Sequence, residues 1–223
     1  MSRNTKTQTS AMRAAVGSFL LNLVLSIMKI TVGALSGSSA MVSDGAHSIE
    51  DVFETFLVII GVKLAGRAPD EKHPNGYRSY EAVFGMVLAA ILMISGIEIG
   101  YEAVQILIHK NYGVSSIPSG IAVLVAAIAV TAKEIMSFYC LAAAKKSGLT
   151  TLRAEGLHHQ VDALVSLGAM VGVIASRNGH PEVDPIMSVA ICLLVVRSAL
   201  EILKDALNTY RRNGKQEDTP KGD

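Results

Sequence analysis

The chain has 223 residues, half of them hydrophobic and 17% charged, with a formal net charge of +1. With a positive mean hydropathy it is too apolar for an ordinary soluble domain, and its charge pattern leaves no nucleic-acid footprint. Trp is absent, and the two cysteines, Cys140 and Cys192, lie in apolar stretches, which excludes a disulfide framework and a CxxC metal knuckle.

After a polar start, MSRNTKTQTS, six long apolar segments follow: Met12–Leu35, Ser39–Leu64, Tyr80–Ile108, Ile117–Ala144, Leu152–Ala175 and Pro185–Leu207. Each is long enough for a hydrocarbon core of about 30 Å at about 1.5 Å per residue. The breaks between them carry turn chemistry: Gly37-Ser38-Ser39, Pro69, Pro74-Asn75-Gly76, Pro118, Gly148 and Asn178-Gly179-His180-Pro181. The first segment lacks a cleavable signal pattern, and more spans follow it. The expected fold is therefore an all-α integral membrane protein of six transmembrane helices. Residues 1–11 are expected to form a polar N-terminal tail, 12–207 the six-helix transmembrane domain and 208–223 a short polar C-terminal tail.

The loops set the direction. Arg3, Lys6, Arg13, Lys63, Arg67, Lys72, Arg78, Lys145, Lys146, Arg153, Lys204, Arg211, Arg212, Lys215 and Lys221 all fall on one side, and only Lys110 and Arg177 on the other. By the positive-inside rule both termini are expected in the cytoplasm, with the protein multi-pass in the plasma (inner) membrane. The basic C-terminal cluster reads as this topology signal or as a contact to lipid headgroups.

Ionisable groups within lipid are costly and point to function. Span two carries His47 and Asp51, and span five carries His158 and Asp162. A four-residue spacing puts each pair on one helix face. Span two descends from the outer side, so His47 and Asp51 lie roughly 12–18 Å down; His158 and Asp162 come out roughly 20–25 Å from that face. The two pairs can then meet near the bilayer midplane, where transporters bind substrates. Two imidazoles and two carboxylates form a four-coordinate zinc set; they also suit Co²⁺ and Fe²⁺, and less well the oxygen-preferring Mn²⁺. Metal and protons compete for the imidazole nitrogens, so the parts are those of a metal/proton exchanger. No organic cofactor is called for. The rival class, an intramembrane metal hydrolase, needs an open coordination position and a general base, and a metal-binding subunit would hold the ion without moving it.

Neighbouring groups have expected roles. His159, beside His158, is an alternative ligand. Asp44 lies at the outer mouth and either lines the ion's route or supports the ligands. Glu50 and Glu54 are expected to meet a cation on another helix, Lys29 or Lys133. Glu98, Glu102 and Arg197 are expected to pair near helix ends, and the nine Met to fill the core.

These residues resemble the cation diffusion facilitator family of divalent-metal transporters. GSSAMVSDGAHSIED (37–51) is similar to that family's second membrane helix and LRAEGLHHQVDALVS (152–166) to its fifth. The loop APDEKHPNGYRSYE (68–81) and the segment VDPIMSV (183–189) also fit. The resemblance implies a transport site of His47, Asp51, His158 and Asp162, with His158 preferred over His159. It implies export of cytosolic metal against protons by alternating access, with Zn²⁺ first and Fe²⁺, Co²⁺, Cd²⁺ or Mn²⁺ as other cargoes, and a homodimer. In the loop, Asp70 and His73 match a further metal site of some members, but Tyr77 stands where its second His would be. The family's usual soluble C-terminal domain has no counterpart in the tail from 208 to 223, so dimerisation is expected to rest on the membrane helices.

Overall fold

The computed structural model describes residues 2–36, 39–71, 73, 76–110 and 120–217, and builds them almost entirely as helix. Six helices follow in order: α1 (Ser2–Ser36), α2 (Ser39–Ala65), α3 (Arg78–His109), α4 (Gly120–Ser147), α5 (Thr150–Arg177) and α6 (Val183–Glu217). The predicted spans agree with these in number and order, and the ends differ. Helix α1 begins ten residues before its apolar segment and α6 runs ten beyond it. The apolar pattern marks only the part of a helix matched to lipid, whereas backbone hydrogen bonding continues through Thr, Lys, Gln and Arg until something breaks it. The polar stretches 2–11 and 208–217 are thus helical. The breaks at Gly37-Ser38, Pro74-Asn75 and Pro118, and Lys72 in the loop, lie outside the described residues.

Beside an apolar core that includes Val58, Val62, Leu92, Leu152 and Ile202, the bundle buries many polar groups and turns many apolar ones outward. Ser18, Asn22, Ser26, Lys29, Ser48, Asp51, Thr55, Lys133, Ser137, Glu155, His158 and His159 are buried, while Leu20, Val24, Ile27, Phe53, Phe56, Ile94, Phe138 and Leu193 are exposed. Such an arrangement suits a solvent of lipid, in which backbone and side-chain polar groups must be satisfied internally. Among the described residues, four stretches are long and apolar enough to cross a membrane: Lys6–Leu35, Arg78–His109, Leu124–Ser147 and Val183–Arg212. The helices outside this set, α2 and α5, carry the candidate ligands. Their apolar runs are interrupted by charged and imidazole side chains: Asp44, His47, Glu50, Asp51 and Glu54 in α2, and Glu155, His158, His159 and Asp162 in α5.

Helix α5 is the hub, packing on α2, α3, α4 and α6, while α1 lies along α2 and α4. The longest interface joins α3 to α6. It closes on small residues: a Cβ on Gly96 would come within 2.6 Å of Val195 Cγ1, and one on Gly100 would collide with Cys192. Small residues let membrane helices approach for want of a hydrophobic drive between them. The α4–α5 turn passes through Gly148 at φ 67°, a left-handed conformation that favours glycine. Beyond it, buried Glu81 of α3 accepts from Thr151 N at 2.8 Å, Thr151 Oγ1 at 3.0 Å and Thr150 Oγ1 at 3.1 Å. A carboxylate on another helix therefore caps the α5 N-terminus and fixes the axial position of His158 and Asp162.

Candidate metal centre

Helix α2 delivers Asp51 and α5 delivers His158 and Asp162 to one point. One ligand atom from each lies within 4.8 Å of the others. His158 Nε2 is 3.0 Å from Asp51 Oδ1 and 3.6 Å from Asp162 Oδ2. Asp51 is 2% exposed and His158 7%. The four-residue spacing on α5 works as expected, placing His158 and Asp162 on the same face one turn apart.

His47 is not drawn into this cluster. Its side chain is 58% exposed, and its Nδ1 lies 3.0 Å from Glu50 Oε2. It nonetheless lines the same cavity, of about 230 Å³, as Asp51, Lys133, His158 and Asp162. His159 faces elsewhere: fully buried, it sits 2.6 Å from Ser18 Oγ and 3.2 Å from Glu155 Oε1. The side chain of Asp44 lies outside the described residues.

The expected partners of Glu50 and Glu54 are corrected. Lys133 of α4 ignores both and donates to Asp51 Oδ2 at 2.6 Å and Asp162 Oδ2 at 2.7 Å. Lys29 of α1 donates to Ser48 Oγ at 3.0 Å. Glu50 is taken by His47, and Glu54 Oε2 lies 3.7 Å from His158 Nδ1. The reason is geometric: Glu50, about 100° around α2 from Asp51, is exposed, whereas Asp51 faces α4 and α5. Arg197 likewise pairs with Glu201, one turn on at 3.3 Å, rather than with Glu98 or Glu102.

Behind the open cluster is a closed one. Ser18 donates to Glu155 Oε1 at 2.5 Å, and Thr55 Oγ1 lies 2.7 Å from both that oxygen and the Asp51 carbonyl. Asn22 donates to Thr55 at 2.9 Å. Since Ser18 gives its hydrogen to the carboxylate, His159 Nε2–H donates to Ser18. Sequence reasoning passed over this network and the bridging role of Lys133. The signals existed: Ser18, Asn22, Ser26 and Lys29 recur on one face of α1, and a lysine within an apolar span is as costly as the Asp it pairs with.

In the loop, Asp70, His73, Tyr77 and Tyr80 satisfy one another. Tyr77 donates to Asp70 Oδ2 at 2.5 Å, His73 N donates to Asp70 Oδ1 at 2.8 Å, and His73 Nε2 lies 2.9 Å from the Tyr80 hydroxyl. The Tyr77 hydrogen bond, helped by those from His73, holds the Asp70 carboxyl down at about 2.

Two carboxylates, one buried and one half-buried, and a buried imidazole converge from two helices on one cavity, a donor set of the kind that holds a cation, which makes this the candidate site. Residues 15–209 match the cation efflux transmembrane domain. The chain is 35% identical to an uncharacterized transporter, MJ0449, of Methanocaldococcus jannaschii over 81% of its length and 63% of the relative's. It is 29% identical to the zinc transporter ZitB of Yersinia pestis over 94% of its length and 66% of that relative's. It is 28% identical to the manganese efflux system protein MneS of Bacillus subtilis over 86% and 65%. The chain thus spans about two thirds of the length of these curated relatives. It belongs to the cation efflux family, the cation diffusion facilitators, a family of multi-pass membrane transporters and not of enzymes.

Proposed function

We propose that this chain carries the path by which a divalent metal ion, Zn²⁺ first, leaves the cytoplasm in exchange for protons by alternating access. The observation that carries this reading is the meeting of Asp51, His158 and Asp162 within 4.8 Å. Imidazole with two carboxylates suits Zn²⁺ better than Mn²⁺, which favours an all-oxygen shell. His47 completes a four-coordinate set by leaving Glu50 and turning into the cavity it already lines.

Proton exchange follows from the same atoms. His158 Nε2 faces ionised carboxylate oxygens, which only accept, so it carries a hydrogen in the metal-free arrangement. With Nδ1 also 3.7 Å from the Glu54 carboxylate, the metal-free ring is read as an imidazolium, hydrogen on both nitrogens, and an ion that takes Nε2 releases that nitrogen's proton while Nδ1 keeps its own. The bias of basic residues supports both termini on the cytoplasmic side of the plasma (inner) membrane, and the exposed apolar faces of the helices offer lipid contact and a homodimer surface. The self-satisfied loop of Asp70 and His73 supports a structural turn rather than a second ion site.

Zn²⁺ flux into proteoliposomes tests the proposal. The parent should transport, with a rate that rises with an opposing proton gradient, and Asp51→Ala should be inactive. Equal flux by parent and variant, or flux indifferent to the gradient, removes the site or the coupling respectively.

A further inference from the structure

Lys133 stands where a transported ion would stand. Its Nζ bridges Asp51 Oδ2 and Asp162 Oδ2, one carboxylate from α2 and one from α5, at 2.6 and 2.7 Å. A divalent ion held by the same oxygens at about 2.0–2.2 Å would need the same space. The dication would also repel an ammonium at that range. Both cannot be present together.

The lysine has means to leave. It comes from α4, whereas the clustered ligand atoms come from α2 and α5, so its departure does not disturb them. Its stem is long and its ammonium a compact, rotatable point charge. The cavity of about 230 Å³ lies beside it, with Ser95 and Ser166 on the wall.

We infer that Lys133 is a tethered cation that fills the transport site when metal is absent and swings aside, toward the Ser95 and Ser166 wall of the cavity it shares with the ligands, when metal enters. This rests on the reading of Asp51, His158 and Asp162 as the transport site. Two consequences follow. Metal affinity is set partly by competition with an internal cation, so Lys133 is a determinant of affinity as well as a structural ion-pair partner. The metal-free protein also never presents two bare carboxylates to a low-dielectric interior, a condition that would be costly during its return step.

Zn²⁺ affinity of the purified full chain separates the outcomes. Lys133→Met keeps the bulk and removes the charge; it should bind Zn²⁺ at least tenfold more tightly than the parent. Lys133→Arg keeps a cation and should bind no more tightly than the parent. A purely structural role for the lysine predicts weaker binding in both. Lys133→Met binding no better than the parent, while Asp51→Asn loses binding, overturns the tethered cation and leaves the transport site standing. Asp51→Asn binding as the parent does overturns both. Should Lys133→Met not fold, the unaltered protein gives the answer through acylation of Lys133 by a small amine-reactive anhydride, which transfers its acyl group to Nζ and releases the carboxylate, read by mass spectrometry. Zn²⁺ should raise that labelling severalfold; labelling unchanged or reduced by Zn²⁺ contradicts the inference.

Discussion

His158 and His159 are adjacent in sequence, both buried, and belong to different regions of the molecule. His158 opens onto a cavity, and its carboxylate neighbours are neutralised by a flexible lysine. His159 is enclosed with Ser18, Glu155, Thr55 and Asn22, all held by short hydrogen bonds. A polar cluster with room and an exchangeable partner can take up a ligand. One whose partners are fixed and which has no room makes a joint between helices. The step of about 100° from one helical residue to the next is enough to separate the two roles.

The sharpest way to break the comparison is to exchange which histidine is lost. His158→Ala should weaken Zn²⁺ binding by roughly 100-fold or more with little loss of thermal stability, since metal sites fail when a ligand is removed. His159→Ala should leave Zn²⁺ affinity within a few-fold and destabilise the fold, because it removes the donor to buried Ser18 and the imidazole 3.2 Å from the buried Glu155 carboxylate, at about 1–3 kcal/mol. Titration calorimetry and thermal unfolding of both variants in the same detergent check this. Matching behaviour of the two would dissolve the distinction.

A smaller effect is expected from Ser18→Ala. It removes the hydroxyl between Glu155 and His159 and should lower stability by about 1 kcal/mol with no change in metal selectivity. Unfolding curves together with a Zn²⁺/Mn²⁺ competition assay would show it. His47→Ala probes the rim, and about a tenfold loss in affinity is expected if His47 joins the ion as fourth ligand. Unchanged affinity would restrict the site to Asp51, His158 and Asp162.

Much of this could be read from residues in advance, and the failures have physical reasons. The six spans followed from apolar length, and the meeting of α2 with α5 from two His-to-Asp spacings at similar depth. The choice between His158 and His159 could not be made from spacing, since His159 is also within one turn of Asp162; it depends on the rotation of α5, which Glu81 and the Gly148 turn help to set. The partners of Lys133 were misjudged because Glu50 and Asp51 are neighbours in the chain and only tertiary packing decides which faces α4. The helical ends at 2–11 and 208–217 escaped a reading based on hydropathy, which sees lipid and not hydrogen bonds.

The least effect is expected outside the membrane. Asp70 has its carboxyl lowered to about 2 against an ordinary 3.8, so its hydrogen bonds order the loop fully above about pH 4 and lose that contribution as pH falls through about 2. Tyr77→Phe should move the Asp70 titration back toward 3.8, as followed by carboxyl-carbon NMR. Zn²⁺ flux should be unaffected. A large loss of flux would return the loop to the metal's path.

The central claim is that the imidazole of His158 and the carboxylates of Asp51 and Asp162 clasp the transported ion. Zinc-edge X-ray absorption of the loaded protein tests it directly. The account predicts an imidazole signature with light-atom ligands at about 2.0–2.2 Å, reduced by His158→Ala and untouched by His159→Ala. An unchanged spectrum in His158→Ala would contradict it.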